Sequence, residues 1–129
     1  MISKCDLTLK SVVDGSETLF YAEGRLEYTE QETKLIYHEE GATFCLLFSN
    51  GKAQIERTGD YALRLKLLPG EITQGEIGIN GNVGELEIRT HCVEVDLSDD
   101  KLCVKLRYDI LLGDGAQEME LFIQGNIKE

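Results

Sequence analysis

Apolar and polar residues alternate with a period of two along most of this chain, as they do in β-strands that bury one face. The clearest run lies at 102–112, where every second position is apolar: Leu102, Val104, Leu106, Tyr108, Ile110 and Leu112. It sits within Gly84–Lys128, in which Ser98-Asp99-Asp100 and Gly113-Asp114-Gly115 separate three alternating runs. This pattern predicts a three-stranded antiparallel meander, which is the best-defined part of the fold.

The rest of the chain contains further strand patterns joined by short turns. Turn signals occur at Asp14-Gly15-Ser16, at Glu40-Gly41 and at Asn50-Gly51, and the last is the strongest short hairpin signal present. No window of about 11 residues has helical spacing with caps. With 71–83 included, we predict about ten strands. The regular ones are 2–13, 17–30, 33–39, 42–49, 52–58, 61–68, 84–97, 100–112 and a last one from Met119 to Ile127.

Residues 71–83 form the least regular segment. Three isoleucines suit a strand, whereas glycine recurs at every third position from Gly75 to Gly84. One interpretation is a mobile lid, or a place where a ligand approaches the backbone. The other, which we favour, is a weak or bulged strand at a barrel corner.

Two features predict departures from a regular sheet. Gly24 lies in the middle of the strand 17–30 and suggests a bend or a bulge there. In the strand 84–97, the apolar phase slips by one residue at Cys92–Val93. A slip of one residue inside a strand is what a β-bulge produces.

Long strands at 2–13, 17–30, 84–97 and 100–112 favour a strongly coiled sheet over a flat sandwich. An all-β chain must protect its sheet edges, and closing the sheet removes them. We therefore predict an all-β fold, a single antiparallel up-and-down β-barrel of about 8–10 strands that comprises residues 1–129 as one domain.

The charge and the apolar runs limit the partners. With 24 acidic against 13 basic residues, the formal net charge of the 129-residue chain is −11, which opposes binding to nucleic-acid phosphates and to anionic membranes. No apolar run approaches the ~20 residues of a membrane helix. The N-terminus MISKCDLTLK lacks the apolar region of a secretory signal. We therefore predict an acidic cytoplasmic protein with no nucleic-acid partner and no membrane partner.

The four cysteines, Cys5, Cys45, Cys92 and Cys103, form no CxxC pair and have no histidine at zinc-finger spacing. Two disulfides would suit a secreted protein, whereas four reduced and mostly packed thiols suit a cytoplasmic one. We favour reduced thiols because no export signal accompanies them.

No residue pattern marks an active site or a metal centre. His38 lies beside Glu39-Glu40, and His91 lies on the outward face of its predicted strand, so we interpret both as surface residues. The acid pair Asp99-Asp100 lies in a turn and lacks the EF-hand pattern. P-loop, GxSxG, HExxH and dinucleotide patterns do not occur. We therefore predict no catalytic residue, no metal site and no cofactor, and an enzyme is the least favoured of three functions.

Five segments of the sequence resemble those of a known family. They are SVVDGSE at 11–17, the strand from Phe20 to Tyr28 with its central Gly24, GELEIRT at 84–90, DLSDDK at 96–101 and YDILLGD at 108–114. The order and spacing of these segments match over nearly the whole chain. The chain therefore resembles the YwiB-like family of uncharacterised bacterial proteins, which are regarded as calycin-like (lipocalin-like) β-barrels. The resemblance implies such a barrel in a bacterial cytosol, and it brings no activity, cofactor or site residue.

Two hypotheses for function stand beside the enzyme. In the first, a non-catalytic barrel binds a small apolar or amphipathic ligand at its mouth. The polar anchors would be inward tyrosines or Arg57. The candidate residues are Phe20, Leu26, Tyr28, Arg57, Val104 and Tyr108. In the alternative, the acidic barrel surface or an unclosed sheet edge binds a basic protein partner. Nothing in the pattern specifies an oligomeric state.

Overall fold

The structure, a computed structural model, describes residues 1–128. These residues contain strands and turns but no helix, and therefore no helix long and apolar enough to cross a membrane. The strands are β1 (Ile2–Val13), β2 (Ser16–Tyr28), β3 (Thr33–Glu39), β4 (Ala42–Ser49), β5 (Lys52–Thr58), β6 (Tyr61–Leu67), β7 (Ile72–Ile79), β8 (Asn82–Leu97), β9 (Lys101–Leu112) and β10 (Gly115–Lys128).

The ten strands form one closed antiparallel barrel in which each strand pairs with its neighbours along the chain. The barrel closes because β1 pairs with β10 as well as with β2. The predicted up-and-down barrel of about 8–10 strands is confirmed. The predicted bounds agree to within about two residues, except that β10 begins at Gly115 rather than at Met119 and that the segment 71–83 contains a shorter strand, Ile72–Ile79.

One β-bulge bends the barrel wall in β8. This strand pairs with β9 as far as Thr90 and resumes at Cys92, so His91 is the extra residue. The predicted bulge is confirmed, but it lies slightly earlier than the sequence suggested. Cys92 consequently lies on the outer face, and the inward set resumes at Val93.

The bulge suggested at Gly24 and the bulged strand favoured for 71–83 are not found. β2 pairs with β1 in unbroken register through Gly24, its pairing with β3 begins at Gly24, and β7 pairs with β8 in unbroken register through Gly75. These glycines are needed for space: a Cβ on Gly24 would lie 2.7 Å from Leu7 Cδ1, and a Cβ on Gly75 would lie 2.8 Å from the carbonyl oxygen of Arg64. The segment 71–83 thus contributes β7 to the barrel wall without a bulge; β7 pairs with β8 along its whole length but with β6 only from Glu76 to Ile79.

Inward side chains fill the middle of the barrel. Leu9, Leu46 and Leu106 are fully buried there, and complete burial of one leucine side chain contributes about 1.5–3 kcal/mol. Five of the six inward positions predicted for β9 pack in or against this core. The sixth, Leu112, is 54% exposed because it lies at the β9–β10 turn. The buried core therefore does not extend to the end of the barrel that carries the β9–β10 turn, and the interior at that end is not filled by side chains.

Candidate functional site

A cavity of about 290 Å³ lies just inside one end of the barrel. This end, which we call the mouth, carries the five hairpin turns that join β1 to β2, β3 to β4, β5 to β6, β7 to β8 and β9 to β10. Inward side chains from β1 to β6, β9 and β10 form the walls. Leu46 and Ile55 line the cavity and also belong to the buried core, so the cavity continues the core towards solvent.

One side of the cavity is an aromatic wall formed by Phe20, Tyr37 and Phe44. Tyr37 and Phe44 oppose each other across the β3–β4 hairpin, and their rings stack with centroids 5.1 Å apart and planes 6° apart. The Phe20 ring is tilted by 45° against Tyr37 at 6.5 Å. Such pairs stabilise the hairpin, and the exposed ring surfaces offer apolar contact to a ligand.

Arg57 places a largely buried cation in the cavity, with only 11% of its side chain exposed. Nη1 donates a hydrogen bond to the carbonyl oxygen of Tyr61 at 2.7 Å, and Nη2 donates to Asp60 Oδ1 at 2.9 Å. The guanidinium also lies 3.6 Å from the centroid of the Tyr61 ring and 5.8 Å from that of Phe44. The hydrogen bond from Arg57 lowers the pKa of Asp60. Asp60 therefore compensates the Arg57 charge, and Arg57 ties the β5–β6 turn to the mouth.

Two tyrosine hydroxyls lack a protein partner in this cavity. Tyr37 is 2% exposed and Tyr108 is 7% exposed, yet neither hydroxyl hydrogen-bonds to any of residues 1–128. Both residues line the cavity. Among residues 1–128, Thr90 Oγ1 is the one side-chain polar atom that has neither solvent access nor a hydrogen-bond partner. The two tyrosine hydroxyls have no partner in this part of the chain either, so they must retain access to the space of the cavity. Whatever fills the cavity, water or a ligand, can therefore hydrogen-bond with these two hydroxyls.

Burial also keeps both phenols protonated. It raises the pKa of Tyr37 well above its ordinary value, with smaller contributions from Glu39 and Tyr108. It raises the pKa of Tyr108 from 10.0 to about 12, with Tyr61 adding to the shift. A phenol is already uncharged at neutral pH, and these shifts extend to higher pH the range in which both hydroxyls can donate or accept a hydrogen bond.

Tyr108 is expected to hold its proton as the pH rises past 10, because its folded-state pKa is about 12. The unfolded chain releases this proton first, so the folded state loses stability as the pH rises from 10 to about 12. A titration followed by phenolate absorbance should show a late step that is smaller in Tyr108→Phe. In the control Tyr21→Phe, which removes a hydroxyl from a 74% exposed side chain, the late step should remain. A late step of unchanged size in Tyr108→Phe would contradict the buried placement.

Glu39 brings a carboxylate to the cavity without an ionic partner. The residue is half-buried and lines the cavity, and it makes no salt bridge or hydrogen bond through its side chain with the rest of residues 1–128. Burial raises its pKa, the neighbouring Glu40 raises it further, and Arg57 opposes these effects. Glu39 therefore contributes a negative charge that Arg57 offsets through space but that no ion pair among residues 1–128 neutralises.

The structure brings together three of the residues predicted for the site, since Phe20, Arg57 and Tyr108 all line the cavity. The placement of Tyr28 at the same mouth is wrong. Tyr28 lies at the opposite end of β2, where its hydroxyl contacts Met1 Sδ at 2.9 Å. It shares a face with Phe20, but eight residues of extended chain separate the two by about 26 Å.

Leu26 and Val104 also lie away from the cavity, because both are buried in the core. Sequence reasoning missed Tyr37, Glu39 and Phe44, which line the cavity. A signal for them was present: Tyr37 and Glu39 continue the inward alternation of β3, and the short β3–β4 turn places Phe44 opposite Tyr37.

The remaining candidate residues lie on the outer wall. His38 Nδ1 is 2.9 Å from Thr43 Oγ1, and His91 Nε2 is 2.7 Å from Asp109 Oδ2. Across residues 1–128, no three His, Cys, Asp or Glu side chains gather in a way that could hold a metal ion. All four cysteines are free thiols, and Cys103 is exposed rather than packed.

Two other depressions in the protein surface have larger volumes than the cavity at the mouth, but different residues line them. At the end opposite the mouth, about 470 Å³ lies between the segments 29–33 and 48–52 and the last part of β8. A groove of about 970 Å³ runs along the outside of the barrel near Met1 and Lys128. Neither is lined by the aromatic wall of Phe20, Tyr37 and Phe44 or by Arg57. The cavity at the mouth is therefore the better-supported site.

Fold and site together define a class of protein: a small, closed, up-and-down β-barrel with an aromatic-walled cavity at one end. The chain belongs to the family described as "Domain of unknown function (DUF1934)", whose sequence profile matches residues 8–123. It is also similar to the crystal structure of the YwiB protein from Bacillus subtilis, with a TM-score of 0.84 and 20% sequence identity over 99% of this chain and 94% of that one. This likeness shows a shared fold and confirms the YwiB-like resemblance. No curated protein matches the chain.

Proposed function

We propose that this protein is a non-catalytic barrel that binds a small apolar or amphipathic molecule in the cavity at its mouth. The observation that carries the proposal is the pair of hydroxyls of Tyr37 and Tyr108, which belong to buried residues that line the cavity and which have no partner among residues 1–128. A bound molecule with a polar group would supply the missing hydrogen bonds, and the aromatic wall would contact its apolar part.

The size of the cavity limits the ligand. A volume of about 290 Å³ lies just below the ~300–1,000 Å³ that is usual for small-molecule sites. It suits a molecule with one ring or a short alkyl chain, and it does not suit a long-chain lipid. Arg57, held by Asp60 and Tyr61, keeps the rim of the cavity in place.

We also propose that the barrel is calycin-like (lipocalin-like) and works in a bacterial cytoplasm, without a cofactor, nucleic acid or membrane. An up-and-down barrel with a cavity at its mouth is the arrangement of that class. Free thiols suit a reducing compartment. The net charge of −11 opposes contact with phosphate backbones and anionic lipids.

Native mass spectrometry of the freshly purified protein tests the ligand proposal. We expect a mass above that of the denatured chain by the mass of a small molecule. Ser11→Leu should abolish the difference, because Ser11 lines the cavity and leucine would fill it. Thr8→Leu is the control on the same strand, since Thr8 points to the opposite face. The proposal is overturned if the wild-type protein carries no molecule and titration with hexanol causes no saturable NMR shift at cavity residues.

A second candidate is a protein-interaction module that uses its acidic surface or a sheet edge. One observation favours it: among the described residues, Ser16–Glu23 of β2 have no strand partner on the side of β3, where pairing begins at Gly24. This edge carries Leu19 and Tyr21, which are 56% and 74% exposed. A basic, extended segment could add to it as a further strand. A bound mass of protein size in the same spectrum would support this candidate over the first.

A further inference from the structure

We infer that the ligand is a small organic cation, with an amine or quaternary ammonium group on an apolar body, and that Glu39 pairs with its charge. This inference rests on the proposed function, because it names the chemical class that the same cavity binds. Three independent features of the mouth lead to it: the charge balance of the cavity, the chemistry of its rings and hydroxyls, and the acidic rim.

The charge balance favours a cation. The charged residues that line the cavity are Glu39, Arg57 and Glu120. Arg57 is paired with Asp60 at 2.9 Å, and Glu120 is paired with Arg107 at 3.2 Å. Glu39 is left without a partner among residues 1–128. A cation would compensate this half-buried carboxylate, whereas an anion would lie close to it and find Arg57 already engaged by Asp60 and by the carbonyl oxygen of Tyr61.

The rings and hydroxyls also suit a cation. Phe20, Tyr37, Phe44 and Tyr108 line the same cavity as Glu39, and a cation over an aromatic face gains about 0.5–2 kcal/mol. The mouth already holds one cation in this way, since the guanidinium of Arg57 lies over the rings of Phe44 and Tyr61. The oxygens of the two unpaired hydroxyls can accept hydrogen bonds from an ammonium group.

The rim would concentrate cations at the entrance. Four of the five hairpin turns at the mouth carry an acidic residue, and none carries lysine or arginine. The acidic turn residues are Asp14, Glu40, Asp60 and Asp114. Acidic groups around a cleft with low-dielectric walls raise the local concentration of cations and their rate of association.

A series of probes with one alkyl chain and three head groups tests the inference: hexyltrimethylammonium, hexanol and hexanoate. Each is titrated into the full chain, and binding is followed by NMR shifts of cavity residues such as Tyr37 and Phe44. We expect hexyltrimethylammonium to bind at least about tenfold more tightly than hexanoate, with hexanol between them.

Two variants locate the effect. Glu39→Gln removes the charge with little change in shape and should weaken the binding of the cation by about tenfold, while the affinity for hexanol stays the same. Glu85→Gln, on the exposed outer face of β8, removes the same net charge away from the cavity and should leave all three affinities unchanged. Circular dichroism checks that both variants keep the barrel.

The outcomes separate this inference from the proposed function. If hexanoate binds as tightly as the cation, or if Glu39→Gln weakens the cation no more than Glu85→Gln does, the cation class is overturned. Saturable binding of hexanol would then leave the proposed function standing. If none of the three probes shifts the cavity residues, the proposed function fails together with the inference.

Discussion

Leu106→Ala is expected to lower the free energy of unfolding by about 2–5 kcal/mol. Leu106 is fully buried on β9, directly opposite Val93 of β8 and Leu121 of β10. Truncation removes the transfer free energy of the buried methyl groups. It also leaves a void, because strands held by hydrogen bonds on both sides cannot move in to fill it.

Urea unfolding followed by circular dichroism measures this loss. Cys103→Ala is the matched control, because Cys103 lies on the same strand with an exposed side chain; it should change the free energy by less than about 0.5 kcal/mol. If Leu106→Ala falls within that small range while Cys103→Ala exceeds it, the inward and outward faces of β9 are reversed.

Much of the fold was predictable because one rule governs it throughout. A strand with one buried face must carry apolar residues at every second position, and β9 does so from Leu102 to Ile110. The same rule located the bulge in β8, since an extra residue shifts the phase by one. Tight turns added a second signal: Gly51, which takes a positive φ of 75°, follows Asn50 as it does in two-residue hairpins.

The site was less predictable because it depends on distance along the barrel and on neighbours that are remote in sequence. Periodicity assigns a residue to the inner face, but it does not tell how far along the axis that residue lies. Phe20 and Tyr28 therefore looked equivalent, although they lie at opposite ends of β2. The unpaired carboxylate of Glu39 is visible only once Arg57 is seen to pair with Asp60 instead.

Glycines show the same dependence on remote neighbours. An isolated glycine inside a strand pattern is compatible with a bulge, a bend or a close approach of another group. At Gly24 the close approach comes from Leu7, a residue of the preceding strand whose reach into this space follows from the pairing of β1 with β2. Local sequence around Gly24 holds no information on that contact, which explains why a bulge was predicted there.

Gly125→Ala is expected to destabilise the barrel by about 1–3 kcal/mol through overpacking. An added Cβ on Gly125 would lie 2.5 Å from Cys5 Sγ and 3.1 Å from Leu7 Cδ2. Both neighbours belong to β1 and are buried, so they have little room to shift. The pairing of β1 with β10, which we call the β1–β10 seam, closes the barrel. The clash lies between these two strands, so moving them apart to relieve it would weaken the hydrogen bonds that close the barrel. Urea unfolding of the variant measures the effect.

A control and a double variant assign the loss to this contact. Gly78→Ala should stay within about 0.5 kcal/mol of the wild type, because the nearest atom to its added Cβ is 3.7 Å away. Cys5→Ala removes the sulfur that the new methyl group meets, so Gly125→Ala should cost less in the Cys5→Ala background than in the wild type. Contacting residues typically couple by about 0.5–3 kcal/mol. If Gly125→Ala costs the same in both backgrounds, the sulfur is not the obstacle, and the close packing assigned to the β1–β10 seam is wrong.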